Sequence, residues 1–169
     1  MSTQAQLKFD DELAKHLSEG VRITFETMFG LSPQARPYSV EGNSRCEGDI
    51  SGIVSLSQDG IDAVCVITFP SATILYILEK VYKRKFNSHE DSSVIQGVGE
   101  IANIINGVVK TKVNERGLRL RMGLPNVVVG KSHIVMTQPH PSMKIPFQME
   151  GLGFTIVLTL TRVESAKAA

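Results

Sequence analysis

The chain has 169 residues, of which 42% are hydrophobic and 21% are charged, and its formal net charge is +1. This length and composition are typical of one globular domain, so we expect a single domain over residues 1–169 with an ordered core at about 8–163. A net charge so close to zero provides no overall field to attract nucleic acid or an anionic membrane surface, and we expect neither as a partner. The longest apolar runs, AVCVITF and FTIVLTL, are too short to cross a bilayer.

The first helix is predicted at about 10–29, where apolar residues recur at helical spacing. Asp10 or Asp11 can cap its start, and Gly30 can end it. A polar segment with two prolines follows, LSPQARPYSVEGNSRCEG, and it is interpreted as a loop.

Two strand-like runs come next, DISGIVSLS and IDAVCVITF, and Gln58-Asp59-Gly60 between them is typical of a hairpin turn. Pro70 then lies near the start of a helix predicted over PSATILYILEKVYKRKF. A further helix is predicted at about 93–114.

The last third of the chain is predicted to form four strands, LRLRMGLP, NVVVGKSHIVM, KIPFQMEG and FTIVLTLTRV. The final pair should be a hairpin that turns at Glu150-Gly151-Leu152-Gly153, and the tail ESAKAA should be disordered. The element order α-ββ-α-α-ββββ predicts an α+β fold, with helices packed on an antiparallel or mixed sheet.

The two cysteines, Cys46 and Cys65, have neither C-x-x-C nor Cys/His spacing. This favours a reduced cytosolic protein over a disulfide scaffold or a zinc site. The first residues, MSTQAQLKFDDELAKHL, lack the basic start and apolar run of a signal peptide. We therefore expect a soluble, cytoplasmic protein.

The helix at about 93–114 contains the segment GVGEIANIINGVVKT, which has two distinct faces. At ~100° per residue, one stripe is apolar and should face the core: Val94, Val98, Ile101, Ile105 and Val108. A second narrow arc lies almost opposite: Gln96, Glu100, Asn103 and Gly107, with Gly99, Asn106 and Lys110 beside it.

This second arc has an unusual composition for a helix surface. A glycine inside a helix costs about 1 kcal/mol relative to alanine, and asparagine is also a weak helix former. A face that only contacted water would be expected to contain better helix formers. Small residues also let another backbone approach closely, so the arc is interpreted as a docking surface, with a simple solvated face as the alternative.

Glu100-Ile101-Ala102-Asn103, inside GEIANIINGVVKTKV, resembles the E-x-x-N helix of the CheC/CheX family of chemotaxis phosphatases. A proline about twenty residues later belongs to the same pattern, and Pro125 in RMGLPNVVVG fits it. The hairpin that ends in ITFPSATILYILEKVY and the closing pair of strands also match the family layout. The resemblance covers most of the chain and implies a CheC-like fold.

The number of motifs distinguishes the members of this family. CheC-type members carry two such helices, whereas the first helix here offers only Glu19-x-x-Arg22 and Glu26-x-x-Phe29. A single site is more similar to CheX-type members, which implies a homodimer. Gln96 departs from the CheC-type pattern, which has Asp or Ser there, and with Ser93 it predicts an S-x-x-Q capping box.

The resemblance implies a phosphatase whose substrate is a CheY-type response regulator phosphorylated on aspartate. Glu100 and Asn103 would be the catalytic residues: Asn103 would orient the attacking water, and Glu100 would pair with a lysine of the regulator. Four further residues would contact the partner: Gln96, Gly99, Asn106 and Gly107. No cofactor is expected in this chain, because magnesium in such systems belongs to the regulator.

Two alternatives belong to other functional classes. The same helix face could serve a non-catalytic adaptor that binds a response regulator or a flagellar-switch component, and Gln96 is the residue that keeps this alternative open. The second alternative is a structural domain that dimerises through its sheet edges. GVGEIA also matches the dinucleotide-binding fingerprint, but it lies inside a predicted helix and does not follow a strand, which argues against nucleotide binding.

Overall fold

The computed structural model describes residues 8–137 and 140–162. The described helices are α1 (Asp11–Phe29), α2 (Ser71–Tyr82) and α3 (Ser92–Asn114). The described strands are β1 (Gln34–Ala35), β2 (Ser39–Glu41), β3 (Arg45–Gln58), β4 (Ile61–Phe69), β5 (Arg121–Met122), β6 (Asn126–Met136), β7 (Ser142–Met149) and β8 (Leu152–Arg162). The tail ESAKAA, predicted to be disordered, lies outside the described residues.

The strands form one sheet in the order β1-β7-β8-β4-β3-β5, with β2 also paired to β7 and β6 also paired to β3. Every pairing is antiparallel. The helices pack on this sheet, so the predicted α+β fold is confirmed, and of the two predicted sheet types the antiparallel one is observed. None of the described helices has the length and apolar composition needed to span a membrane.

Both predicted hairpins are present, and positive backbone angles at the turns explain their short connections. β3 and β4 pair from Gln58↔Ile61 onwards, with Gly60 at a φ of 76°. β7 and β8 pair from Met149↔Leu152, so the turn consists of Glu150 and Gly151, at φ values of 47° and 79°. Two successive residues with positive φ match the right-handed twist of a hairpin.

Three predicted elements differ from the structure. The segment predicted as a loop after α1 contains β1 and β2, whose pairing partner β7 lies more than a hundred residues away in sequence. The predicted strand LRLRMGLP pairs only at Arg121–Met122. The second helix ends at Tyr82, because Lys83 adopts a left-handed conformation with a φ of 55°. Each difference arises from a long-range pairing or a backbone angle that hydrophobic spacing does not encode.

The hydrophobic core is one cluster formed by the three helices and the sheet face beneath them. α1 begins where Asp10 Oδ1 accepts a hydrogen bond from Leu13 N at 2.9 Å, and it ends at Gly30, with a φ of 65°. Both predicted ends of this helix are confirmed. Its buried face consists of Leu13, Ala14, Leu17, Val21 and Phe25.

α3 packs closely on the sheet, and missing side chains make this approach possible. A Cβ atom on Gly52 of β3 would overlap the Cβ of Ala102, and a Cβ on Gly97 would lie 2.9 Å from both methyl carbons of Leu78 in α2. On another side of α3, a Cβ on Gly20 of α1 would lie 2.6 Å from Val108 Cγ1. α3 therefore contacts β3, α2 and α1, and its remaining side is an exposed strip that includes Gln96, Glu100 and Asn103.

Asp49 connects three elements at an irregularity of β3, where the register shifts between Gly48 and Ile50. Its Oδ2 accepts a hydrogen bond from the backbone N–H of Ser71, at the start of α2, at 2.6 Å. Its Oδ1 accepts one from the backbone N–H of Ser132, in β6, at 2.9 Å. The hydrogen bond from Ser132 has the larger effect, and together with the one from Ser71 it holds the pKa of Asp49 below its ordinary value. The ionised carboxylate therefore stabilises the junction of β3, α2 and β6.

The close approach of α3 to β3 predicts a large effect for Gly52→Ala. The added methyl group would overlap Ala102, whose Cβ is fixed by the helix backbone, so the helix must move away from the sheet. We expect the free energy of unfolding, measured by urea denaturation, to fall by about 1–3 kcal/mol. Gly42→Ala is the control, because a Cβ there has no atom within 4 Å. An unchanged stability for Gly52→Ala would contradict the described packing.

The hydrogen bonds of Asp49 predict a pH-dependent effect for Asp49→Asn. Since folding lowers the pKa of Asp49, its stabilisation is present above the unfolded pKa of about 4 and is lost as the pH falls through the folded pKa. We expect Asp49→Asn to lower the free energy of unfolding at pH 7, and we expect the difference from the wild type to shrink on acidification. Denaturation series from pH 7 to about pH 2.5 measure this. A difference that stays constant over the series would contradict the assignment.

Candidate functional site

The N-terminal end of α3 differs from the predicted capping box. Asp91 is the N-cap, and its Oδ1 accepts a hydrogen bond from Ser93 N at 2.8 Å. The S-x-x-Q interpretation is therefore wrong. Gln96 instead uses its side-chain amide within the exposed strip, where Nε2 donates to Glu100 Oε1 at 3.1 Å.

Glu100 and Asn103 are both exposed, one turn apart on α3. Among the described residues, no salt bridge involves Glu100, and its side-chain hydrogen bond is the one from Gln96. Asn103 makes no side-chain hydrogen bond within the described part of the chain. The carboxylate and the amide are therefore available to groups from outside the protein.

A shallow depression runs beside these two side chains, between α3 and the start of β6. Its lining combines residues of α3 with apolar residues of the β5–β6 loop and of the start of β6: Ile95, Gln96, Gly99, Glu100, Asn103, Leu124, Pro125 and Val127. A Cβ on Gly99 would reach ordinary contact distance, 3.6 Å, from Val127 Cγ2. A longer side chain at position 99 would therefore occupy the depression, and glycine leaves it open.

The fold thus brings together most of the residues that the sequence singled out. Pro125 is more than twenty positions from the E-x-x-N segment, yet it lines the same depression as Glu100 and Asn103. Gln96 is exposed and Gly99 is half-buried at the same place. Gly107 lies further along the strip, with no atom within 4 Å of a Cβ placed there.

Asn106 differs from its predicted position on the contact surface. Its side chain is 0% exposed, and Nδ2 donates a hydrogen bond to the backbone carbonyl of Ala102 at 2.7 Å. Its Oδ1 is buried and has no hydrogen-bond partner among the described residues. A residue enclosed in this way offers no surface to a partner, so we no longer assign it a contact role.

The glycines of α3 also serve different purposes. Gly97 is buried against Leu78, so the packing of α2 on α3 accounts for it, and the docking interpretation does not apply to it. Gly99 keeps the depression open, and Gly107 leaves the helix backbone uncovered. The docking interpretation therefore remains a prediction for Gly99 and Gly107.

Leu124 is the residue of this region that the sequence analysis missed. It lies in the loop between β5 and β6 and is 86% exposed. We predicted a strand over LRLRMGLP, and in a strand an apolar residue would be expected to alternate into the core. The flanking Gly123 and Pro125 were the available signal, because both residue types favour loops.

The part of the chain that the structure describes holds no group of three His, Cys, Asp or Glu side chains arranged to bind a metal ion.

Comparisons with known proteins identify the family and the fold of this chain. A family model described as "Chemotaxis phosphatase CheX" matches residues 50–148. Among proteins with curated descriptions, none matches the sequence significantly.

Several solved structures share the fold. A CheC-like superfamily protein from Shewanella sp. PV-4 has a TM-score of 0.81 and 22% identity, over 90% of this chain and 99% of its own. The chemotaxis protein CheX from Vibrio vulnificus has a TM-score of 0.79 and 23% identity, over 89% of this chain and 99% of its own. A chain in the complex of CheX, CheY, BeF3 and Mg²⁺ from Borrelia burgdorferi has a TM-score of 0.71 and 15% identity, over 92% of this chain and 100% of its own. The expected CheC-like fold is confirmed.

The open surroundings of Gly107 predict that Gly107→Ala stabilises the protein. A methyl group there meets nothing, and alanine is favoured over glycine inside a helix by about 1 kcal/mol. We expect the free energy of unfolding in urea to rise by up to that amount. Gly97→Ala is the matched comparison on the same helix and should lack this gain, because its methyl group would displace Leu78. Destabilisation by Gly107→Ala would show that position 107 is not open.

Proposed function

The chain belongs to the CheX family of chemotaxis phosphatases, and on this premise we propose that it hydrolyses the aspartyl phosphate of a CheY-type response regulator. Glu100 and Asn103 carry the proposal, because α3 presents both side chains to the exterior with no obstruction from the described chain. The regulator is the substrate and brings its own phosphoryl group and magnesium ion. This chain supplies the surface that enters the regulator's active site.

The partner is proposed from a structural likeness. The structure from Borrelia burgdorferi contains a chain of the same fold in complex with CheY, BeF3 and Mg²⁺. This supports a response regulator of the CheY type as the partner of this chain. The exposed strip of α3 is the surface that we assign to this partner, since the sheet, α1 and α2 contact the other sides of the helix.

The proposed chemistry requires little more than a well-placed water. The water oxygen attacks phosphorus, the bond between phosphorus and the carboxyl oxygen breaks, and the regulator's aspartate leaves as a carboxylate. Phosphate and one proton are released. An acyl phosphate is already reactive, and a 100-fold acceleration needs only ~3 kcal/mol, which positioning can supply.

Asn103 suits this positioning role. An amide can both donate and accept hydrogen bonds, so it can hold a water molecule in one orientation. It is neutral and does not repel the phosphoryl oxygens, whereas a carboxylate would place negative charge beside them. Asn103 has no side-chain partner among the described residues, so it forms these bonds without first breaking others.

Glu100 suits the docking role. Its exposed carboxylate has no cation within salt-bridge distance in the described structure. A lysine of the regulator would supply that cation, and the pair would be partly desolvated on binding, which strengthens a charge-assisted hydrogen bond. Gln96 donates to one oxygen of Glu100 and so restrains the carboxylate before the partner arrives.

Asn103→Ala provides the test. We expect the variant to fold normally, because the side chain is exposed, and to lose about 100-fold in the rate at which phosphate is released from the phosphorylated regulator. Phosphate release is measured with and without the protein, and circular dichroism verifies the fold. Asn87→Ala is a matched control, since Asn87 is an exposed asparagine in the loop before α3.

The outcome also separates the enzyme from a non-catalytic adaptor. Phosphate release by Asn103→Ala at the wild-type rate would remove Asn103 from the mechanism. A wild-type protein that binds the phosphorylated regulator without accelerating phosphate release would favour the adaptor. The homodimer implied by the resemblance is a separate proposal, which sedimentation equilibrium tests.

A further inference from the structure

Leu124 is the most exposed of the large hydrophobic residues that the structure describes. It is 86% exposed, compared with 64% for Met136 and 53% for Met28. A single exposed leucine is common on protein surfaces and has no meaning alone. The position of Leu124 is what distinguishes it, because it lines the same depression as Glu100 and Asn103.

The backbone holds Leu124 in this exposed position. The loop 123–125 connects β5 to β6, and both strands pair with β3, through Leu56↔Met122 and Ile53↔Asn126. Gly123 N also donates a hydrogen bond to Ser55 O at 2.8 Å. Pro125 restricts its own φ and disfavours helical geometry at Leu124. A side chain on such a short, anchored loop loses little backbone freedom when it is bound.

The depression places apolar residues beside the two polar side chains of Glu100 and Asn103. Ile95 and Val127 are half-buried and Leu124 is exposed, and all three line the depression. A partner that brings a phosphoryl group to Asn103 would lie over the depression that Leu124 also lines. Specific protein interfaces gain much of their affinity from a few buried apolar anchor residues.

We propose that Leu124 is the apolar anchor of the regulator contact, inserting into a hydrophobic patch beside the regulator's phosphorylated aspartate. This inference rests on the proposed function and names how the substrate protein is selected. A second copy of this chain is the competing occupant of the same surface. The regulator is favoured because Leu124 lines the same depression as Glu100 and Asn103, which would meet the phosphoryl group.

The anchor should affect binding and leave the chemical step unchanged. Leu124 would contact the regulator equally in the ground state and in the transition state, so removing it should raise KM without lowering kcat. Losing the partial burial of a leucine side chain corresponds to about a tenfold change in affinity. Asn103, by contrast, should affect kcat.

The test is steady-state phosphate release from increasing concentrations of the phosphorylated regulator, using the full chain. We expect Leu124→Ser to raise KM about tenfold with kcat within about twofold of the wild type. Leu124→Met should stay near wild type, because methionine retains the apolar contact. Met28→Ser is the matched control, since it removes another exposed apolar side chain, at the end of α1. The Kd for the regulator loaded with beryllium trifluoride should change in parallel with KM.

The possible results distinguish failure of the Leu124 anchor from failure of the proposed function. An unchanged KM and Kd for Leu124→Ser, with Asn103→Ala inactive, would overturn the anchor and leave the proposed function intact. If the wild type releases no phosphate, the proposed function fails, and the Kd comparison still decides whether Leu124 contacts the regulator. A lower molar mass for Leu124→Ser in sedimentation equilibrium would assign Leu124 to a contact between two copies and overturn the inference. Absence of any regulator binding by the wild type would overturn both.

Discussion

The contact between Ala102 on α3 and Gly52 on β3 sets the distance between the central helix and the sheet. Because neither residue carries a side chain beyond Cβ there, the helix backbone lies almost directly on the strand. At that distance Gly99 can face Val127 of β6, and the depression at the sheet edge takes its shape from this neighbourhood. The candidate site therefore depends on a contact that contains none of its own functional groups.

Placing the functional side chains on a packed helix has a physical advantage. Glu100 and Asn103 project from α3, whose other sides are held by β3, α1 and α2. The water-positioning role proposed for Asn103 would require its geometry to hold within a fraction of an ångström, and rigid elements provide this better than loops. Asp49 strengthens the same framework, because its carboxylate binds the start of α2 to β6. The loop residue Leu124, the proposed anchor, would add contact area beside Glu100 and Asn103, where less precision is needed.

Several features of the site could not have been read from periodicity. Asn106 and Asn103 are three residues apart in one helix, yet the first is buried and the second exposed, because the buried arc of α3 is wider than its apolar stripe. Gly97 and Gly107 are the same residue type with opposite environments, one against Leu78 and one open. Neighbouring elements determine these differences. A sequence pattern describes one helix at a time and does not include them.

The α+β class, both hairpins, the three described helices and the placement of Glu100 and Asn103 on one face follow from the sequence, since each depends on local spacing, turn residues or caps. Three features required the folded chain: Asn106 is enclosed, Pro125 lies in space beside the E-x-x-N segment, and Leu124 remains outside the core. The tertiary structure also decided that β1 and β2 pair with β7. These features depend on contacts between segments far apart in sequence, and such contacts form only when the whole sheet is assembled.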